Sequence, residues 1–336
     1  MKAKQFNAIV LITVLFASMG FSATTGTWYG APAGDANHAA GTGKWTDAYW
    51  NKPPVKLAAP PGNPDEQIKI GKPNMVCTVD SNIGNYQYKL NITGGTDAVT
   101  AAKLEIVKGG NIGLGELRVG AGGAASTGGA GCINQTGGTL NLGDRLIIGR
   151  MGTSETNPNN GKGFYTISGG TLTYLPTNTN ATLYLGANGA GEGTFTIAGK
   201  AANISLKKLY VGGDGKKPGG IGTVEFKIDA NGVSPIRLED GVFLDPAGEG
   251  STAKLAVSTI GAPPKSDILL VETIGGNPVT GIFDTVNGKP AAEGAEVVVN
   301  QGGNNYYYKL TYTGGAGAND IMLKFSRVAA AAPAAK

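Results

Sequence analysis

A single histidine and two cysteines in 336 residues leave little material for the commonest catalytic and metal chemistry. A Ser/His/Asp or Cys/His relay needs its histidine beside the nucleophile, and a structural zinc site draws its ligands from clustered Cys and His. His38 lies in a loop-rich stretch, and Cys77 and Cys132 are far apart in sequence, so neither arrangement can be assembled. No Gly-x-x-x-x-Gly-Lys-Ser/Thr occurs, and the many Gly-x-Gly strings fall in turns between strands, so no cofactor is expected. Charged residues make up only 15% of the chain, and the net charge of +4 comes without a block of like sign. That pattern gives no electrostatic footprint for nucleic acid or acidic lipid.

Long apolar runs are also scarce. The first 22 residues read as an export signal: Lys2 and Lys4 precede an apolar run from Ala8 to Met19, and Gly20-Phe21-Ser22 supplies small residues for cleavage. That run is too short to span a bilayer, and no other stretch approaches the ~20 apolar residues a membrane helix requires. The mature chain is expected to be exported, with no stable membrane insertion after cleavage. Export permits a disulfide. One turn of the repeat described below separates Cys77 from Cys132, however, and two steps of about 4.8 Å exceed the roughly 7 Å limit for bridging. Two buried free thiols are the expectation.

What the chain has in abundance is glycine, 56 residues of it, without the strict triplet of collagen. The glycines punctuate a phrase of roughly 30 residues that recurs between about Leu90 and Gly250. One copy reads Ile133-Asn-Gln-Thr-Gly137-Gly138-Thr-Leu-Asn-Leu142 followed by Leu146-Ile-Ile-Gly149. The next reads Tyr165-Thr-Ile-Ser-Gly169-Gly170-Thr-Leu-Thr-Tyr174 followed by Leu183-Tyr-Leu-Gly186. Two residues before the glycines stand Ile92, Val107, Gln135, Ile167 and Ile197; four before stand Leu90, Ile133, Tyr165 and Phe195. Between them lie Asn, Thr and Ser, a period of two that marks half-buried strands. A unit of this kind cannot bury its apolar face alone, so the copies must stack. The predicted fold is all-β: a right-handed parallel β-helix with about three strands per turn.

The segment ending in Gly is the most regular. Leu117, Leu146, Leu183, Leu209 and Val242 form one inward column, and Val119, Ile148, Leu185, Val211 and Leu244 the next. Gly137, Gly138, Gly169 and Gly170 are expected to turn the corners. Between the inward columns runs an outward strip of Arg118, Ile147, Tyr184, Tyr210 and Phe243. It reads either as a ladder of stacked rings, or a face under a loop, or as a contact strip for another subunit, a matrix polymer or a sugar ring.

Residues 23–89 hold all three tryptophans, Trp28, Trp45 and Trp50, and many prolines; they read as an N-terminal cap with the first strands, or as a carbohydrate platform of exposed indoles. The repeats are assigned to 90–252. Short strands joined by Gly-rich turns over 253–326 read as a C-terminal antiparallel β cap, and 327–336 as a disordered tail.

The Gly-Gly-Thr-Leu repeat with its Leu-x-Val-Gly strands, the opening Trp28 and Thr46-Asp-Ala-Tyr-Trp50, and the closing Tyr308-Lys-Leu-Thr-Tyr-Thr-Gly-Gly-Ala-Gly-Ala-Asn-Asp-Ile-Met-Leu323 resemble secreted bacterial β-helical surface proteins. These carry autotransporter-passenger-type repeats and are abundant in planctomycetes. The resemblance implies a non-catalytic structural or adhesive role at the cell surface. Self-assembly or an extracellular polysaccharide would be the partner. The enzymatic rival is a polysaccharide lyase or hydrolase using clustered carboxylates on an outer sheet. Asp144, Arg145, Glu192, Asp214, Asp240 and Glu249 are its candidates, at turn positions and without a repeated outward pair.

Overall fold

A strand with one apolar face also carries backbone N–H and C=O groups along both edges, and each of these needs a partner when buried. Two parallel sheets supply those partners in the computed structural model, which describes residues 25–28, 42–45, 67–121, 129–150, 161–176, 180–187, 189–213, 219–245 and 250–331. The chain alternates between the sheets, so each rung hydrogen-bonds to the equivalent rung one turn earlier and one turn later. The result is a parallel β-solenoid of about six turns, with no helix among the described residues.

The first sheet collects the two segments that follow the glycine pair. In Asn111–Ala121, Thr139–Arg150, Ala202–Val211 and Ile236–Leu244 these two segments form one long strand. The register slips midway along several of them, between Leu114 and Glu116 and between Leu206 and Lys208. In one turn the slip is replaced by an insertion that splits the strand into Gly170–Tyr174 and Thr182–Ala187. The second sheet collects the segment before the glycines, as in Ala130–Gln135, Lys162–Ile167, Gly191–Ala198 and Gly220–Ile228. The three segments of a turn are therefore shared between two hydrogen-bonded sheets.

The core is a set of unbroken columns. Ile68, Leu90, Leu117, Leu146, Leu183, Leu209 and Val242 follow one another in register through the first sheet, all buried. Across the lumen runs the column Cys77, Leu104, Ile133, Tyr165, Phe195, Val224, Leu255 and Val286, also buried throughout. Each fully buried side chain of this size contributes about 1.5–3 kcal/mol. Cys77 and Cys132 both lie inside the described region, both are buried, and neither is in a disulfide. Cys77 belongs to the main core, whereas Cys132 pairs in register with Lys103 and packs outside the sheet with Ala101, Ala130 and Phe164. Two rungs and opposite faces separate the sulfurs.

Two alignments made on the glycines alone come out differently. Leu90 and Ile92 precede a glycine pair, yet they belong to the first sheet, beside Leu117 and Val119. Glycines close the corner at that end of the turn as well. Val107 is also displaced: Ile106, not Val107, pairs with Gln135, because the corner before Gly110 is one residue longer than the corner before Gly138.

The corner glycines divide by role. Gly138 and Gly170 have φ of +64° and +82°, a region that side chains with a Cβ rarely enter. An added Cβ would also fall 2.3 Å from the Gly110 oxygen and 2.4 Å from the Gly137 carbonyl carbon. Gly137 and Gly169 have ordinary φ but no room: a Cβ there would lie 2.8 Å from the Lys108 nitrogen and 2.7 Å from the Thr136 oxygen.

Parallel stacking reaches beyond the expected repeat region at both ends. Thr25–Trp28 and Thr42–Lys44 already pair parallel with Gln67–Ile70 and Val76–Val79. Trp45 is buried in the core, while Trp50, His38 and the export signal lie outside the described residues. Ser251–Thr259, Ile268–Thr273 and Thr285–Val286 continue the parallel ladders past residue 253. Antiparallel strands Glu296–Gln301, Asn304–Gly314 and Asp320–Ala330 then join the end of the first sheet through Ile268–Thr273. The last of these runs to Ala330, so Arg327 to Ala330, expected to lie in a disordered tail, are paired with Tyr307 to Asn304.

Candidate functional site

On the outer face of the first sheet, successive rungs set Arg118 beside Ile147, Ile147 beside Tyr184, Tyr184 beside Tyr210, and Tyr210 beside Phe243. The sequence strip is thus a true column. Its rings stack on one another: Tyr184 and Tyr210 are 5.0 Å apart at 23°, and Tyr210 and Phe243 are 4.5 Å apart at 14°. The inner faces of the stack are turned towards neighbouring rings, which leaves mainly ring edges to face outward. Ile147 is covered, and the partial burial of Tyr210 pushes its hydroxyl up from the ordinary phenol range.

Arg118 at the head of the column is tied down. Its Nε donates to Oε1 of Glu116 at 2.7 Å, and Arg145 Nε lies 3.5 Å from the same oxygen. Glu116 is buried, and its Oε2 has no hydrogen-bond partner. Taking a carboxylate out of water is tolerable only beside such cations.

At the bend of the first sheet, Tyr174, Lys207 and Glu239 from three adjacent rungs form a clasp. The Tyr174 hydroxyl donates to Glu239 Oε1, Lys207 Nζ donates to Oε2 at 2.7 Å, and the ammonium sits 4.9 Å from the Tyr174 ring centre. These hydrogen bonds hold the Glu239 carboxyl below its ordinary range and raise Lys207 and Tyr174 above theirs. Tyr174 pairs in register with Leu142, but the strand ends there and its hydroxyl turns to the clasp.

The carboxylates considered for catalysis are not gathered. Asp144 pairs with its neighbour Arg145 at 3.1 Å on the first sheet, and Glu192 pairs with Lys162 at 3.3 Å on the second. Asp240 lies by the clasp, three rungs from Asp144. Asp214 and Glu249 lie outside the described residues.

A concavity that the sequence reading missed lies on the outer face of the second sheet. It is an open depression of about 320 Å³ lined by Glu105, Val107, Asn134, Gln135, Thr136, Thr166 and Ser168. The outward Asn, Thr and Ser of the repeat were legible as solvent-facing, but only the register shows that Glu105, Asn134 and Thr166 are lateral neighbours. Among the described residues no three His, Cys, Asp or Glu side chains come together as a metal site. No family model, curated protein or solved structure matches the chain, and what is established of it is the β-solenoid itself.

Proposed function

We propose that this chain is a non-catalytic structural or adhesive protein of the cell surface, a stiff scaffold that contributes to an envelope layer or matrix. The observation that carries the reading is the Tyr184–Tyr210–Phe243 stack. Its aromatic residues are spent on each other along the long axis, as in a spine, and the columns beneath it run without interruption from Ile68 to Val242. Stability of a repeat array grows with each such nearest-neighbour interface, which suits a rod under mechanical load. Its Gly-Gly-Thr-Leu repeat and its export-type leader support a place among secreted bacterial surface proteins of the autotransporter-passenger type.

Electron microscopy of the purified mature protein tests the proposal. Ordered sheets or filaments, and labelling of the outside of intact cells by an antibody, are expected. Monodisperse particles that release reducing ends from a polysaccharide would overturn it in favour of an enzyme.

A further inference from the structure

The depression on the second sheet has the chemistry of a ligand site. Glu105, Asn134 and Thr166 occupy consecutive rungs of one outward column, and Thr136 and Ser168 follow Asn134 and Thr166 by two residues on the same face. The hydroxyls of Thr136, Thr166 and Ser168 and the Glu105 carboxylate make no hydrogen bond to other side chains or backbone among the described residues. They stand open as donors and acceptors around a volume of about 320 Å³, near the lower end of the ~300–1,000 Å³ usual for small-ligand sites. Phe164, two residues before Thr166 and on the same face, packs over Ala101, Ala130 and Cys132, so an apolar patch adjoins the polar hollow.

We propose that this hollow binds a neutral glycan. A sugar ring offers both halves of what is displayed: hydroxyls for the Thr, Ser, Asn and Glu groups, and an apolar C–H face for Phe164. A hard divalent cation takes about 6–8 oxygen ligands and several charges, whereas Glu105 is the one carboxylate in the lining. An acidic polymer would be repelled by that carboxylate, and no cation lines the hollow to offset it. The polar column continues on one side through Thr78, whereas on the other it is closed by Thr196, which is buried and donates its hydroxyl to Glu225 Oε2 at 2.7 Å. A chain lying along the solenoid axis would therefore meet a polar side chain at each of the four rungs from Thr78 to Thr166, in steps of about 4.8 Å. The proposal goes beyond the scaffold reading, which stands whether or not the hollow is filled.

Calorimetric titration of the mature protein with cellohexaose, xylohexaose and hexagalacturonate tests it. At least one of the two neutral probes should bind, and hexagalacturonate should bind more weakly. Thr166→Trp, which fills the hollow, should weaken the neutral probe at least tenfold, and Glu105→Gln severalfold. Tyr210→Ser on the other sheet should leave affinity unchanged. Melting curves for every variant separate lost binding from lost folding; Glu105→Gln keeps the test intact if Thr166→Trp fails to fold. Absence of binding by both neutral probes, tighter binding of hexagalacturonate, or loss of affinity in Tyr210→Ser alone would overturn the assignment. Assembly is read separately by microscopy, so failure here and failure of the scaffold reading are distinguishable.

Discussion

The hydroxyl of Tyr165 donates a hydrogen bond to the amide oxygen of Gln135 inside the lumen, reaching from one rung to the rung before it. The Gln135 amide nitrogen in turn donates to the carbonyls of Thr171 at 3.0 Å and Gly138 at 3.3 Å, so the one polar residue in an otherwise apolar column joins both sheets at a corner. Tyr165 is wholly buried, which pushes its hydroxyl far above the ordinary phenol range and keeps it a donor. Gln135→Leu should cost about 1–3 kcal/mol, because it strands a buried hydroxyl and a carbonyl. Adding Tyr165→Phe should recover part of that loss, a coupling that denaturant titration of both single variants and the double variant measures.

Corner geometry sets the next expectation. Gly138→Val or Gly170→Val should lower stability by at least about 3 kcal/mol, since each forces a Cβ into positive φ and into a carbonyl group. Thr139→Val and Thr171→Val, partly exposed neighbours on the same strands, should stay within about 0.5 kcal/mol. Equal melting shifts for the two classes would contradict the corner roles.

Tyr210 stacks on both Tyr184 and Phe243. At about 0.5–1.5 kcal/mol per aromatic pair, Tyr210→Ser should therefore destabilise by about 1–3 kcal/mol, and Tyr184→Ser should also lower stability. A strip used only for binding would leave both melting temperatures unchanged.

The clasp gives a pH dependence with a defined sign. Glu239 is depressed below its ordinary 4.5, first by the Lys207 hydrogen bond and then by that of Tyr174. It thus contributes stability above that pH and loses it as pH falls through the lower, folded value. Lys207 and Tyr174 are raised, each first by its hydrogen bond to Glu239, with nearby Asp240 adding to both. They contribute below their ordinary values of 10.5 and 10.0 and lose that contribution as pH climbs through their folded ones. Glu239→Gln should be less stable than the parent at about pH 7 and indistinguishable from it at about pH 2. Chemical denaturation at the two pH values checks this.

Both cysteines should titrate as thiols in unfolded, unreduced protein. In the folded protein Cys132 should react slowly, because burial raises its thiol above the ordinary range. A titration that finds no thiol would contradict the opposite-face placement of Cys77 and Cys132.

The inward columns through Leu117 and Val119 were legible because Leu-x-Leu-Gly repeats its spacing turn after turn, and every expected member is buried. The glycine pairs were a poorer guide. They mark more than one corner of each turn, which misplaced Leu90 and Ile92, and one corner is a residue longer, which put Val107 where Ile106 belongs. Period-two patterning also could not tell whether two apolar segments are separate strands or one strand with a register slip. The aromatic strip was legible as a column, but the stacking of its rings depends on side-chain torsions that sequence does not carry. The hollow around Thr166 needed the lateral register. So did the Tyr174–Glu239 contact, whose partners are 65 residues apart.

Spin-label distances along one outward column test the stacked coils most directly. Thr78, Glu105, Asn134, Thr166, Thr196, Glu225 and Ala256 occupy successive rungs of the second sheet. With Cys77 and Cys132 replaced by Ala, labels at 105 and 225, at 78 and 225, and at 78 and 256 span four, five and six steps. At about 4.8 Å per rung, backbone separations of about 19, 24 and 29 Å are predicted, rising by one rung each time. Distances that fail to rise with rung number, or that collapse to a common value, would contradict the solenoid.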